Sequence, residues 1–180
     1  MSKKRINLIE GVKVLKRPTF SSSLGIFSET YRSSWLKNEF LQDSISISNN
    51  KGTIRGMHLQ TGRYSQAKLI SVLRGSIQDI FIDLRKDSST FCDYGSLKIT
   101  EKNNKVLFLP RGFAHGFITL ETNTLVSYKM DNHYSPKNEI IIKWDDPDLK
   151  IGWPKNLDFT SSTKDLSGLT LEDYLLINKF

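Results

Sequence analysis

With 180 residues, 38% of them hydrophobic and 25% charged, the chain has apolar material for one core and too much for wholesale disorder. Its 26 basic and 19 acidic residues leave a formal net charge of +7, which suits an anionic ligand such as a nucleotide, a phosphate or a nucleic acid without choosing among them. A single cysteine, Cys92, excludes an intramolecular disulfide, no apolar run approaches the ~18 residues of a membrane span, and charges and a glycine interrupt MSKKRINLIEGVKVL where a signal peptide needs its apolar core. The reducing cytoplasm is the expected compartment, with no membrane partner.

The first fifty residues hold the strand-like pieces GVKVL, GIFSETY and DSISIS, and WLKNEF is predicted as a short helix between the last two. From Lys68 to Trp144 the segments KLISVLRG, SIQDIFIDL, YGSLKITE, KVLFLP, HGFITL, TLVSYKM and EIIIKW read as a dense succession of strands. KDSST (86–90) and EKNNK (101–105) supply turns between them. Within 77–84, alternation sets Ile80, Ile82 and Leu84 on one face and Asp79, Phe81 and Asp83 on the other. That second face carries buried acids or a site. Asp83 either orients an inner histidine or lysine or is an ordinary buried acid satisfied by backbone amides. TLEDYLLINKF, with apolar residues at helical spacing after a Thr cap, predicts a closing helix. No repeat, low-complexity tract or linker separates these parts. The expectation is one domain over 1–180, with an N-terminal segment 1–50, a barrel 51–154 and a C-terminal segment 155–180, built as closed or sandwiched antiparallel β structure.

Three histidines stand out singly: His58 in GTIRGMHLQ, His115 in PRGFAHGF and His133 in MDNHYSP, the last without an assigned role. Pro110, Gly112 and His115 form P-x-G-x-x-H at a strand entry, and Gly52 stands six residues ahead of His58. The pairing resembles the two motifs of the cupin superfamily. It implies an all-β fold, a cupin-type jelly-roll barrel with both histidines inside, an N-terminal strand extension and short peripheral helices. Metal-binding cupins add a second histidine and a glutamate to the first motif, whereas here the second position is Gln60 and no glutamate follows before Glu101. Imidazole and carboxylate ligands are too few for zinc or iron, so neither a metal nor another cofactor is expected. Cys92 follows a turn with no base identified nearby and is not expected to act as a catalytic thiol.

Longer strings narrow the match. RGMHLQ (55–60), QAKL (66–69), DLRKDSSTF (83–91), PRGFAHGF (110–117), YKM (128–130), YSP (134–136) and WDDPDLKIGWP (144–154) fall in the order and spacing of one family. With the weaker GIFSETY (25–31) and STKD (162–165), they resemble the dTDP-4-dehydrorhamnose 3,5-epimerase family over nearly the whole chain.

Inverting a carbon next to a ketone needs a base for its proton, a donor for the enolate oxygen and an acid on the opposite face. Histidine, with an unperturbed pKa of about 6.5, suits the base, which favours His58. The resemblance implies Asp165 as the group orienting His58, Tyr128 as the acid, and Lys68 as the enolate donor, an effect typically of order 3 kcal/mol. It also implies substrate contacts from Arg55, whose planar fork suits a diphosphate, and from Gln60, His115 and Tyr134, the last beside the nucleotide. Glu29 and Gln42 match positions on a segment that in the family crosses to the partner subunit, implying a homodimer with composite sites for a nucleotide sugar. Without the match, Lys68 reads as a solvated lysine at a strand start, Tyr128 as a core or rim aromatic and Asp165 as a loop residue with a cap.

Two positions depart from the family pattern. Leu24 in SSSLGIFSE stands where arginine is usual, and Ser44 in FLQDSIS where asparagine is usual. With His58, Lys68 and Tyr128 intact, the expectation is retained proton chemistry with altered substrate choice. The nucleotide (dTDP, GDP or CDP), the sugar (a heptose or dideoxyhexose among them) and the inverted carbon (3, 5 or both) stay open. A second reading, a cupin that binds a nucleotide sugar without turning it over, is opposed by the intact acid, base and enolate donor. A third, a nucleic-acid module, rests on charge alone: no zinc-finger or recognition-helix signature is present, and Lys and Arg are scattered along the chain. No nucleic-acid partner is expected.

Overall fold

The computed structural model describes residues 9–178. The charged stretch at residues 1–8 and the last two residues of the expected closing helix lie outside the described residues. The strands are β1 (Lys13–Lys16), β2 (Thr19–Ser22), β3 (Gly25–Ser28), β4 (Gln42–Ser48), β5 (Ile54–Gln60), β6 (Lys68–Arg74), β7 (Ser76–Asp83), β8 (Tyr94–Thr100), β9 (Lys105–Leu109), β10 (Phe113–Thr119), β11 (Thr124–Met130) and β12 (Glu139–Ile141). Two short helices, α1 (Thr163–Leu166) and α2 (Leu171–Ile177), follow. The strands form two five-stranded sheets, β1-β9-β6-β11-β4 and β12-β5-β10-β7-β8, with β2-β3 as a separate hairpin.

Strand alternation sorts the apolar residues into layers. Ile70, Val72, Phe81, Leu107, Phe117 and Val126 point between the two sheets and form the central cluster. Their sequence neighbours point outward and are covered as well. Leu69, Val106 and Phe108 pack beneath Leu36 of the segment before β4, and Met57, Ile80 and Ile82 pack beneath Leu149, Leu171 and Tyr174 of the C-terminal segment. Each fully buried Ile or Phe contributes about 1.5–3 kcal/mol relative to exposure. Covering both faces explains why β7 and β10 are buried almost throughout, and why Asp79 and Phe81 share the inner face of β7 while Ile80 and Ile82 meet the C-terminal segment.

Two expectations require correction. WLKNEF is not a helix: a single 3-10 turn covers Ser33–Trp35, and Leu36 leaves it extended at φ −141 and ψ 154. Extended chain lets Leu36 sink among Ala67, Leu69, Val106 and Phe108 while Trp35 and Phe40 lie against the same sheet. Asn38 anchors the segment by donating to Asp131 Oδ2 at 3.1 Å. Asp83 orients no inner histidine or lysine. Its carboxylate accepts from Arg85 Nη2 at 2.7 Å, Ser88 Oγ at 2.6 Å and Thr90 Oγ1 at 2.7 Å, so side chains rather than backbone amides alone satisfy it, and it organises the turn that KDSST forms. The closing helix is α2, capped by Thr170, which accepts from Asp173 N. Among the described residues no helix is long and apolar enough to cross a membrane.

Candidate active site

β5 and β10 are neighbours in one sheet, and their register sets His58 opposite His115. Gly56 makes that approach possible: it sits at φ +123, and a Cβ there would lie 2.5 Å from the Gly116 Cα and 2.7 Å from the His115 carbonyl oxygen. No flexible side chain could yield to relieve such a contact, so a glycine is required. The facing sheet supplies Lys68 from β6, Tyr128 from β11, and Gln42, Ser44 and Ser46 from alternate positions of β4. Together with Arg55, Gln60 and Glu139 they enclose a cavity of about 370 Å³, with Tyr134 half-exposed at its rim.

Each histidine is backed by a carboxylate. His58 Nε2 lies 2.7 Å from Asp165 Oδ1, and Asp165 Oδ2 accepts from Gly56 N at 3.3 Å. Asp165 is buried on the one-turn helix α1, where Ser162 caps it by accepting from its backbone N at 3.1 Å. Burial pushes the Asp165 pKa up, but the hydrogen bond and charge of His58 outweigh that and hold it below the usual carboxylate range. His115 Nε2 lies 2.9 Å from Asp79 Oδ2, with both side chains buried. Burial lowers the His115 pKa against the pull of Asp79, so the ring is kept neutral.

Lys68 Nζ donates to the His58 carbonyl at 3.1 Å. Burial pushes its pKa down to about 8, against the attraction of Glu139 and Asp79, which leaves a mostly protonated ammonium near neutral pH. Burial raises the Tyr128 pKa, so the phenol keeps its proton. Its ring meets that of His115 edge-on, with centroids 6.3 Å apart. Among the described residues no three His, Cys, Asp or Glu side chains cluster as metal ligands would.

The structure thus brings together His58, Lys68, Tyr128, Asp165, Arg55, Gln42, Gln60, His115 and Tyr134. Glu29 stands apart: it follows β3, pairs with Arg32 and does not line the cavity. Leu24 is also remote, 98% exposed beside the turn of the β2-β3 hairpin, whereas Ser44 lines the cavity wall. Sequence reasoning missed three charged participants. Asp79 lay on the face marked for buried acids, but its partner was not legible. Glu139 reaches the cavity because β12 pairs with β5, setting Glu139 opposite Gln60. Lys164 pairs with Glu139, and Tyr134 Oη donates to the same carboxylate at 3.1 Å.

Comparison with known proteins gives this geometry its relatives. The family model described as dTDP-4-dehydrorhamnose 3,5-epimerase matches residues 7–173. The dTDP-4-dehydrorhamnose 3,5-epimerase of Sinorhizobium fredii is 37% identical over 164 residues, covering 88% of this chain and 84% of the relative. The crystal structure of the Bacillus anthracis enzyme of that name, with TDP and PPi bound, superposes with a TM-score of 0.85 at 38% identity, covering 89% of this chain and 94% of the other. The Legionella pneumophila dTDP-6-deoxy-D-glucose-3,5-epimerase, in complex with dTDP-4-keto-L-rhamnose, gives a TM-score of 0.87 at 32% identity, covering 92% and 90%. The chain therefore belongs to the dTDP-4-dehydrorhamnose 3,5-epimerase family and shares its cupin-type fold.

Proposed function

We propose that the chain epimerises a dTDP-linked 4-keto-6-deoxy sugar at the carbons flanking the ketone. One observation carries the mechanism: His58 rises from one sheet and Tyr128 and Lys68 from the other, so base and acid address a bound ring from opposite sides of the cavity. The His58 nitrogen turned away from Asp165 takes the α-proton, and Asp165 stabilises the imidazolium that results. The Lys68 ammonium holds the enolate oxygen in a site where burial strengthens the interaction. Tyr128 gives its phenolic proton to the face opposite the one deprotonated. The ring then carries the same number of protons as before, with one centre inverted, and His58 and Tyr128 return to their starting states by exchange with water.

Binding follows from the remaining groups. Arg55 holds the diphosphate, Tyr134 at the rim stacks on the base, and Gln42, Gln60 and His115 contact the sugar. Glu29 lies too far away to serve its own cavity and acts from a partner subunit in a homodimer. The alternation of β4 supports that dimer: its polar residues Gln42, Ser44 and Ser46 point into the cavity, while Ile45 and Ile47 are exposed on the outside. The test is to incubate dTDP-4-keto-6-deoxyglucose with the protein in deuterated water and follow carbons 3 and 5 by NMR. Deuterium uptake with inversion at one or both carbons is the expected outcome; binding with no exchange at either carbon makes the protein a non-catalytic nucleotide-sugar binder.

A further inference from the structure

The mechanism above leaves the buried Asp79 without a part. Asp79 is fully buried on the inner face of β7. Its Oδ2 engages His115 Nε2 at 2.9 Å, and its Oδ1 has no hydrogen-bond partner among the described residues. A carboxylate in this position accepts only if the His115 proton is on Nε2, which leaves Nδ1 of the neutral ring as an acceptor. Burial raises the Asp79 pKa, while the charge and hydrogen bond of His115 and the charge of Lys68 pull it the other way, so the charge that Asp79 carries is held by these two partners. Asp79 on β7 and Lys68 on β6 stand on opposing sheets, and His115, which Asp79 touches, lines the same cavity as Lys68, so the two groups attract each other across the core.

We propose that Asp79 is a positioning residue for the epimerisation, fixing the His115 ring through Nε2 and supplying the buried negative charge under which Lys68 keeps its proton at the enolate site. The proposal rests on reading the cavity as the epimerase site. The charged and titratable groups that share this cavity with Lys68 are His58 and Arg55 from β5, His115 from β10, Tyr128 from β11, Tyr134 at the rim and Glu139 from β12, with Asp79 and Asp165 behind the wall. Arg55 opposes a second cation, and His115 and Tyr128 are neutral. Glu139 acts in the same direction as Asp79, but its carboxylate is also engaged by Lys164 and Tyr134. Among the described residues no surface lysine pairs with Asp79.

Lysine Cε NMR titration tests the charge directly, with Lys68 assigned from the signal lost in Lys68→Arg. Asp79→Asn keeps the side chain's size and can still accept from His115 Nε2, so it removes the charge alone. The Lys68 midpoint, about 8 in the unmodified protein, is expected to fall by about one unit, a tenfold loss of proton affinity. The alkaline limb of the kcat/KM profile should move down with it. An unchanged midpoint in the folded variant overturns the counter-charge role. The titration needs no turnover, so a protein that fails to exchange deuterium refutes the epimerase reading separately. In the unmodified protein, nitrogen NMR should find His115 neutral with its proton on Nε2 near neutral pH; a proton on Nδ1 overturns the ring-fixing role even where the variant does not fold.

Discussion

His58 illustrates how a common residue acquires a special position. Its backbone carbonyl receives Lys68 and its ring is held by Asp165, so one residue ties together the proposed base, its carboxylate partner and the proposed enolate donor. His58→Ala should lower epimerisation by about 100- to 10,000-fold, the usual range for a general base, with circular dichroism unchanged. Activity within a few-fold of the parent would remove His58 from that role. Tyr128→Phe tests the other face. Deleting the phenolic oxygen leaves His58 and Lys68 able to form the enolate, which then regains its proton mostly from the side that lost it. The ratio of deuterium exchange to inversion should rise well above that of the parent; an equal fall in both means that Tyr128 serves binding or enolate formation instead. That these three side chains belong to one site was legible in RGMHLQ, QAKL and YKM because each lies within a short string. Asp79 and Glu139 were not, because each acquires its meaning from a strand brought alongside: β10 pairs with β7 and brings the His115 ring onto Asp79, and β5 receives β12.

At the level of elements, the sequence was most readable where alternation and burial agreed. β6 to β11 follow their apolar segments closely, because turn residues end each one. WLKNEF misled because its apolar residues fit a helix face as readily as a flat strap over a sheet, and only the waiting surface of Leu69, Val106 and Phe108 decides between them. STKD gave no sign of the turn of helix that carries Asp165 to His58. The turn after β7 allows a stability prediction. Burial raises the Asp83 pKa, but bonds from Arg85, Ser88 and Thr90 outweigh it and leave the pKa lowered. Unfolding returns it to about 3.9. A group depressed in the folded state contributes stability that is present above that value and is lost as pH falls through the folded pKa. Asp83→Asn should therefore cost about 1–3 kcal/mol at neutral pH, and denaturant unfolding should show the gap to the parent closing below about pH 4. A gap that is constant with pH would mean that shape, not charge, holds the turn.

Among the described residues, two uncovered apolar surfaces lie in the N-terminal part of the chain. One is the β2-β3 hairpin, which exposes Phe20, Leu24, Ile26 and Phe27; the other is the outer side of β4, which exposes Ile45 and Ile47. β4 is also an edge strand, with one row of backbone groups left unpaired by its own sheet. An exposed apolar set beside an open edge is the mark of an interface, and the same β4 residues alternate with those lining the cavity. The proposed dimer contact and the proposed substrate contacts thereby share one strand. Light scattering should give twice the mass of one chain. Ile45→Asp with Ile47→Asp should shift the protein toward monomer, because each charge would be buried unpaired between copies. If Glu29 and the hairpin serve the partner's cavity, the monomeric variant should show a KM for the nucleotide sugar raised by about tenfold or more, the loss of about 1.4 kcal/mol of binding, while the His58 and Lys68 geometry stays intact. A monomeric mass for the unmodified protein at concentrations where it is fully active would sink the composite site and assign Glu29 to the hairpin's own structure.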